Sequence, residues 1–254
     1  MFNMIKADIY RLVRSVGIYI FLLVIVGTYS ISIATQSAGG VALGMMPQFA
    51  PETKIDIKQM GFNFTWFFVF IIPVFVILLS DFSEKTIKNT VSSAISRKKY
   101  FLTKASMIEL FVVVSFVFVN LLYYGANRLI NGEKYSSDFS DFFMVILKQL
   151  PIFLFIGAVF IALAVIVKRA AAFNAIAITA PIAYTTISLI LFAIKATKKF
   201  AEKVLLEYDI NYMVAQMASG ATETYRNTCL TGACIGTVLA LVLGYWLFTK
   251  REIV

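Results

Sequence analysis

Six long apolar segments constrain the fold of this chain more than any other feature of its sequence. They occupy residues 16–34, 62–80, 105–124, 142–167, 172–194 and 228–249. An α-helix rises about 1.5 Å per residue, so each segment is long enough to cross a hydrocarbon layer about 30 Å thick. A helix also satisfies its own backbone hydrogen bonds, which lipid cannot do. The sequence therefore predicts an all-α polytopic membrane protein with six transmembrane helices, in a single domain over residues 1–254.

The composition excludes several classes of soluble protein and enzyme. Hydrophobic residues make up 60% of the 254-residue chain and charged residues only 15%, whereas soluble domains average about 25% charged residues. The sequence contains no histidine, which excludes His-metal sites and Ser-His or Cys-His nucleophile pairs. It also contains no GxxxxGK[ST] phosphate loop, so we expect no ATP hydrolysis by that route.

The two cysteines and the basic charge both have structural explanations. Cys229 and Cys234 lie five residues apart in one apolar segment, which on a helix separates their Cα atoms by roughly 8–9 Å, too far for a disulfide. The formal charge of +9 comes from basic residues that flank apolar segments, as in membrane proteins that follow the positive-inside rule. We therefore expect a lipid membrane, and no nucleic acid, as the partner of this charge.

The distribution of Lys and Arg predicts the orientation in the membrane. With the N-terminus inside, the predicted cytoplasmic segments hold 13 of these residues and the outer segments nine. The last outer segment is the exception, but short loops and the first helix weigh most in the rule. The sequence predicts a multi-pass protein of the plasma membrane with both termini in the cytoplasm.

Three segments outside the predicted spans are also informative. Residues 1–15 have apolar positions at helical spacing, with basic residues on the other faces, as in a helix that lies in the membrane interface. Residues 81–104 form a polar, basic cytoplasmic segment with one apolar stripe, which predicts a short coupling helix between spans two and three. Residues 195–227 have apolar positions at helical spacing and predict an outer helical segment between spans five and six.

Residues 81–104 resemble the loop after the second helix in the ABC-2-type transporter permeases. That family has a Glu, then Gly-Thr and a basic residue, then a small apolar patch ending in Ser-Arg, and a Lys that opens helix three. The matching residues here are Glu84, Thr86, Lys88, Asn89, Ser96, Arg97 and Lys104, while Lys85 stands in place of the Gly. The ending Phe248-Thr-Lys-Arg-Glu-Ile253 resembles the aromatic, basic, acidic, Ile ending of the family, with Glu252 where Asp is more usual.

The resemblance implies a transport subunit and no enzyme activity of this chain. The chain is similar to small six-helix permeases of peptide-antibiotic immunity, bacitracin-type resistance and amphipathic-peptide export. Such a permease would pair with a second permease chain, identical or related, and with two copies of a cytosolic ABC ATPase. ATP and Mg²⁺ would be bound by the ATPase, and this chain itself would bind no cofactor. The substrate would be hydrophobic or amphipathic, for example a peptide antibiotic.

The predicted ATPase-coupling residues all lie in or next to the coupling helix. They are Glu84, Thr86, Ile87, Lys88, Val91, Ile95, Ser96, Arg97 and Lys98. The apolar members would fill a groove on the ATPase, while the charged members would pair at its rim. From charge alone, the segment would be only a topogenic loop that obeys the positive-inside rule. The ordered Glu, Ser-Arg, Lys pattern favours the coupling role.

Polar residues within the apolar segments are candidates for a translocation path. They are Asn120, Lys148, Gln149 and Thr185. Each has a simpler alternative, because a lysine near a helix end can extend to the interface and polar side chains can bond between helices. We also expect Glu109 to pair with Arg97, Lys104 or an interfacial lysine.

Two other function classes remain open from the sequence. One is a membrane anchor or sensor without transport, which would have no ATPase partner. The other is a membrane-embedded lipid-modifying enzyme, which the absence of histidine and of a paired acidic motif disfavours. A secondary transporter is weaker still, because the apolar segments contain almost no carboxylates.

Overall fold

The computed structural model of the protein describes residues 2–37, 67–83, 87, 95–133, 136–219 and 221–250, and these form helices and their connections, with no strand among them. The helices are α1 (Phe2–Arg14), α2 (Val16–Ser37), α3 (Phe67–Pro73, Val74–Leu79 and Ser80–Ser83 in succession), α4 (Arg97–Asn131), α5 (Phe139–Val167), α6 (Ala170–Ala193), α7 (Lys198–Phe200 continued by Ala201–Leu206), α8 (Ile210–Ser219) and α9 (Glu223–Lys250).

Four of the described helices are long and apolar enough to cross a membrane: α4, α5, α6 and α9. Helices α1 and α2 also meet the criteria when taken together as one span, with a 55° bend between them, which would make five. The described part of the predicted second span is α3, a shorter apolar helix. These helices are those of an all-α, membrane-embedded protein.

Helix α4 extends beyond the apolar segment at residues 105–124 in both directions. It begins at Arg97 because the Ser96 hydroxyl accepts a hydrogen bond from the backbone N–H of Lys99, at 3.3 Å, and so satisfies one donor of the first turn. It ends at Gly132, whose φ of 75° suits a residue without a Cβ. Residues 97–104, predicted as part of the coupling segment, are therefore the first two turns of a long helix. The apolar segment at residues 105–124 therefore predicts the middle of α4 but not its polar ends.

Helix α3 contains a π-helical stretch directly after a proline. Pro73 has no backbone N–H, so it cannot make the usual bond four residues back. Residues Val74–Leu79 follow with wider hydrogen bonding, and the N–H of Ser80 donates to the carbonyl of Phe75, five residues earlier. The hydroxyl of Ser80 donates to the carbonyl of Val76 at 2.6 Å. The helix is therefore wider in the stretch between Pro73 and its charged end at Asp81.

Helix α5 is the centre of the bundle. In an apolar 18-residue stretch taken from each helix, 56% of the residues of α5 are buried inside the protein, against 12% for α6 and 11% for α9. The aromatic core lies where α3, α4 and α5 meet, with the rings of Phe116 and Phe153 4.1 Å apart and Phe70 5.9 Å from Phe153. Helices α6 and α9 instead expose many large apolar side chains, which is the surface expected of helices that contact lipid.

Helix α9 packs closely along α5 because it presents small residues. A Cβ added at Gly236 would lie 2.6 Å from the ring of Phe155 in α5, and one at Gly244 would lie 3.4 Å from the Cα of Ala162 in α5 and 3.3 Å from the ring of Phe101 in α4. Small residues at four-residue spacing allow membrane helices to approach closely. Gly236, Ala240 and Gly244 follow this spacing in the sequence.

Candidate functional site

A group of ionised and hydrogen-bonded side chains joins three helices at one end of the bundle. The group, here called the charge cluster, comprises Asp8, Arg11, Asp81, Tyr100 and Lys104. The ammonium of Lys104 lies 2.6 Å from Oδ1 of Asp8 and 2.7 Å from Oδ2 of Asp81. The phenol of Tyr100 donates to Oδ2 of Asp81 at 2.6 Å, and Arg11 donates to Oδ1 of the same carboxylate. The cluster ties α1 to the end of α3 and the start of α4.

The central lysine and both carboxylates are buried. The side chain of Lys104 is 3% exposed, that of Asp8 1% and that of Asp81 7%. A buried charge is costly unless paired, and here two carboxylates face Lys104 and Arg11, so the formal charges balance. The second oxygen of Asp8 accepts no hydrogen bond from the described residues. Helix α1 contributes one charge of each sign to the cluster, Asp8 and Arg11, and these pair with Lys104 and Asp81 of the other two helices.

The environment shifts the two carboxylates in opposite directions. Burial raises the pKa of Asp8 above its usual value, and the hydrogen bond and charge of Lys104 offset this only in part. Burial also acts to raise the pKa of Asp81, but the charge of Lys104 and the hydrogen bonds from Lys104, Tyr100 and Arg11 outweigh it, so this pKa is lowered. Asp81 is thus the firmly ionised member of the pair.

The end of α9 packs against the same cluster. The ring of Phe248 stacks on Tyr100 with a centroid distance of 5.6 Å and an interplanar angle of 9°. The guanidinium of Arg97 donates to the backbone carbonyl of Thr249 at 3.0 Å. The two stretches that carry the ABC-2 resemblance therefore meet in space.

The predicted coupling residues divide into two groups. Glu84, Thr86, Lys88 and Val91 lie outside the described residues. Of the others, Ile87 is 1% exposed and packs in the core of the protein itself, which differs from the expectation that it would fill a groove on a partner. Ile95 is half-buried against that core, Ser96 caps α4, and Arg97 and Lys98 are exposed.

The predicted path residues do not line one common channel in the described structure. Asn120 is buried and donates to the carbonyl of Phe116 in its own helix at 2.8 Å. Gln149 is also buried and donates to the carbonyl of Val214 in α8 at 2.9 Å. Lys148 is half-buried and lines a cavity between α5, α8 and α9. Thr185 belongs to α6, and its side chain is outside the described part of the structure.

Glu109 pairs neither with Arg97 nor with Lys104, two of its expected partners. Neither of its carboxylate oxygens has a hydrogen-bond partner among the described residues, because Lys104 is occupied by Asp8 and Asp81. The side chain points at α5, where a Cβ at Gly157 would lie 2.9 Å from its Oε2. Gly157 therefore provides the space for this carboxyl group.

The other end of the bundle is here called the distal end. Four side chains there donate hydrogen bonds to backbone carbonyls of other segments. Tyr124 donates to the carbonyl of Ser137 at 3.1 Å, and Asn131 to that of Ile33 in α2 at 3.3 Å. Tyr184 in α6 donates to the carbonyl of Leu205, and Tyr225 in α9 to that of Glu207. The bonds of Tyr184 and Tyr225 fasten the predicted outer segment to α6 and α9.

Asp8, Arg11 and Tyr100 are not among the site residues predicted from the sequence. One signal was present. Asp8 is the sole acidic residue within positions 1–15, and it follows Ile5 by three residues and precedes Leu12 by four, which places it on the apolar face of the helix. An acidic residue on that face implies a buried cationic partner.

Comparison with known proteins adds no assignment: no protein-family model and no curated protein sequence matches this chain.

Proposed function

We propose that this protein is the membrane-spanning permease subunit of an ATP-driven ABC exporter for a hydrophobic or amphipathic substrate. In this proposal it resides in the plasma membrane with six spans and both termini in the cytoplasm. Two copies of a cytosolic ATPase bind ATP and Mg²⁺, and a second permease chain completes the path. The substrate class that we favour is a peptide, including peptide antibiotics.

The observation that carries the proposal is the connection between the predicted coupling segment and the helices around it. A subunit driven by a separate ATPase needs a cytoplasmic segment that transmits force to several spans together. Asp81 precedes that segment and Tyr100 and Lys104 follow it, and the charge cluster links these residues to α1. Phe248 and Thr249 add the end of α9.

The surface of α1 supports a position at the cytoplasmic interface. Asp8 and Leu12 are buried against the bundle, whereas Ile9 and Val13 are about half exposed. One face of α1 packs against the protein, and a second face exposes apolar side chains. Such a helix suits the boundary between lipid headgroups and hydrocarbon. In the proposed topology α2 and α3 supply the spans beyond the four long apolar helices.

Cysteine accessibility tests the orientation. In a background with Cys229→Ala and Cys234→Ala, we expect cysteines at Lys58 and Glu133 to react with an impermeant maleimide added to intact cells. Cysteines at Ser93 and Arg169 should react only after the membrane is opened. Labelling of Ser93 in intact cells would overturn the proposed orientation.

Variants of the coupling segment test the transport role. The ATPase that we expect the adjacent reading frame to encode would be co-expressed with this chain, and co-purification and substrate-stimulated ATP hydrolysis would be measured. Val91→Asp should abolish assembly because it buries an unpaired charge, whereas the matched control Val91→Ile should not. Glu84→Ala should weaken stimulated hydrolysis more than assembly, and Lys98→Ala should do little at physiological salt.

Two results would contradict the transport role. One is Val91→Asp assembling and stimulating hydrolysis like the unmodified protein, which would make the segment an ordinary topogenic loop. The other is substantial ATP hydrolysis by this chain purified alone, because the sequence has no phosphate loop.

A further inference from the structure

A cavity of about 270 Å³ opens at the distal end, between α5, α8 and α9. Its lining includes two cations, one acid, one amide and two methionines: Lys148, Arg226, Asp141, Gln216, Met144 and Met217. We call it the distal cleft. Polar and apolar groups thus meet in one concave site, which is typical of a site for an amphipathic ligand.

Lys148 is the unusual residue of the cleft. It belongs to a membrane-spanning helix and is half-buried, yet no hydrogen bond or ion pair involves it in the part of the chain that the structure describes. A cation in a span is costly unless it pairs or reaches polar surroundings. Among the described residues its ammonium group has no anionic partner, and the cleft beside it has space for one.

The depth of both cations matches the boundary of a membrane. From Lys148 to Val167, the other end of α5, the helix rises roughly 29 Å at 1.5 Å per residue. From Arg226 to Lys250 in α9 the rise is roughly 36 Å. Because the hydrocarbon core is about 30 Å thick, both cations lie at the level of the headgroups when the charge cluster lies at the opposite surface.

The remaining lining residues indicate what kind of anion fits. Among the described residues Arg226 forms an ion pair with Glu223, at 3.8 Å. The side chain of Glu223 is 82% exposed, so it competes only weakly with a ligand. Asp141 forms no ion pair with either cation in the described structure and is available for a ligand ammonium group. Met144 and Met217 offer flexible apolar contacts for methylene groups.

We propose that the distal cleft binds one phospholipid whose headgroup joins a phosphodiester to an ammonium group, such as phosphatidylethanolamine. Lys148 and Arg226 hold the phosphate by charge-assisted hydrogen bonds. Asp141 receives the ammonium, and the methionines contact the first methylenes. The site requires only that the protein is membrane-embedded, so it stands apart from the proposed transport function.

Native mass spectrometry of the full chain in detergent tests the site. With phosphatidylethanolamine added, we expect one lipid retained per chain. Lys148→Gln and Arg226→Gln should each reduce retention about tenfold, as for loss of a charged hydrogen bond, and Lys148→Arg should preserve it. The control Lys203→Gln removes an exposed lysine at the same end, outside the cleft, and should retain lipid normally.

Further comparisons identify the ligand groups and keep the proposal open to disproof. Asp141→Asn should shift the preference toward phosphatidylglycerol, which lacks the ammonium. Retention unchanged in both Lys148→Gln and Arg226→Gln would overturn the proposal, as would equal retention of diacylglycerol. Displacement of the lipid by millimolar inorganic phosphate would mean that the cleft is a free-anion site, which also contradicts it. If Lys148→Gln does not fold, the outcome for Arg226→Gln decides.

Discussion

The two ends of the bundle treat buried and half-buried charge in opposite ways. At one end, Lys104 is 3% exposed and contacts two carboxylates within 2.7 Å. At the distal end, Lys148 is half-buried and has no charged partner among the described residues. A lysine at a membrane boundary joins helices where carboxylates of the same chain neutralise it, as Asp8 and Asp81 do for Lys104. Where the partner is absent, the lysine is available to a ligand.

The same substitution at the two lysines should give the largest contrast. Lys104→Met leaves Asp8 and Asp81 without their shared cation, and loss of one member of a buried ion pair costs about 3–5 kcal/mol. Lys148→Met removes an unpaired cation and should cost less than about 1 kcal/mol in detergent without phospholipid. Denaturant-induced unfolding in mixed micelles measures both. Equal destabilisation by the two variants would contradict the comparison.

A charge-neutral replacement sharpens this first prediction. Asp8→Asn combined with Lys104→Met removes one charge of each sign and leaves the Asp81–Arg11 pair in place. We expect the double variant to be more stable than Lys104→Met alone, because a buried pair replaced as a whole costs much less than a broken one. A double variant no more stable than the single one would show that the Asp8–Lys104 ion pair does not account for the loss.

Glu109 lies on α4 close to the charge cluster, but its carboxyl group has no partner among the described residues. It therefore lies between the two cases of Lys104 and Lys148. Gly157→Ala would place a methyl group 2.9 Å from its Oε2 and should destabilise the protein by about 1–3 kcal/mol through overpacking. Gly232→Ala is the matched control, since no atom lies within 4 Å of its added Cβ. Unfolding free energies measure both effects. Adding Glu109→Ala should relieve the Gly157→Ala defect, and no relief would contradict the placement of this side chain.

The smallest contrast concerns the caps of two adjacent helices that start at opposite ends. The Ser96 side chain accepts a hydrogen bond in the first turn of α4, whereas Asp138 makes no side-chain cap bond at the start of α5. Ser96→Ala should cost about 1 kcal/mol, and Asp138→Ala about half of that through the helix dipole. Thermal unfolding of the two variants checks the order, and a larger loss for Asp138→Ala would reverse it.

The sequence was sufficient for the features that depend on local pattern. The length of the apolar segments predicted the helices α4, α5, α6 and α9, because the length needed to cross lipid is read directly from a run of residues. The amphipathic spacing of residues 1–15 predicted α1. The start of α4 was not predicted: the sequence analysis assigned residues 97–104 to the coupling segment, whereas Ser96 caps a helix that begins at Arg97.

The partners of charged residues were decided only by the tertiary structure. Asp8 and Lys104 are 96 residues apart in the chain, and Arg11 and Asp81 are 70 apart. Apolar periodicity identifies which face of a helix avoids water but not which helix it meets. The expected pairing of Glu109 with Arg97 or Lys104 was therefore wrong, and Ile87 was found in the core of its own chain.

For this protein, then, sequence determined embedding in a membrane, because hydrophobic transfer adds up along each segment whatever its neighbours are. Packing decided which charges are neutralised, because electrostatic pairing falls off over a few ångströms and depends on where distant helices come to lie. Lys104 and Lys148 look alike in the sequence, each a lysine close to the end of an apolar segment. The fold makes one of them an internal link and leaves the other open.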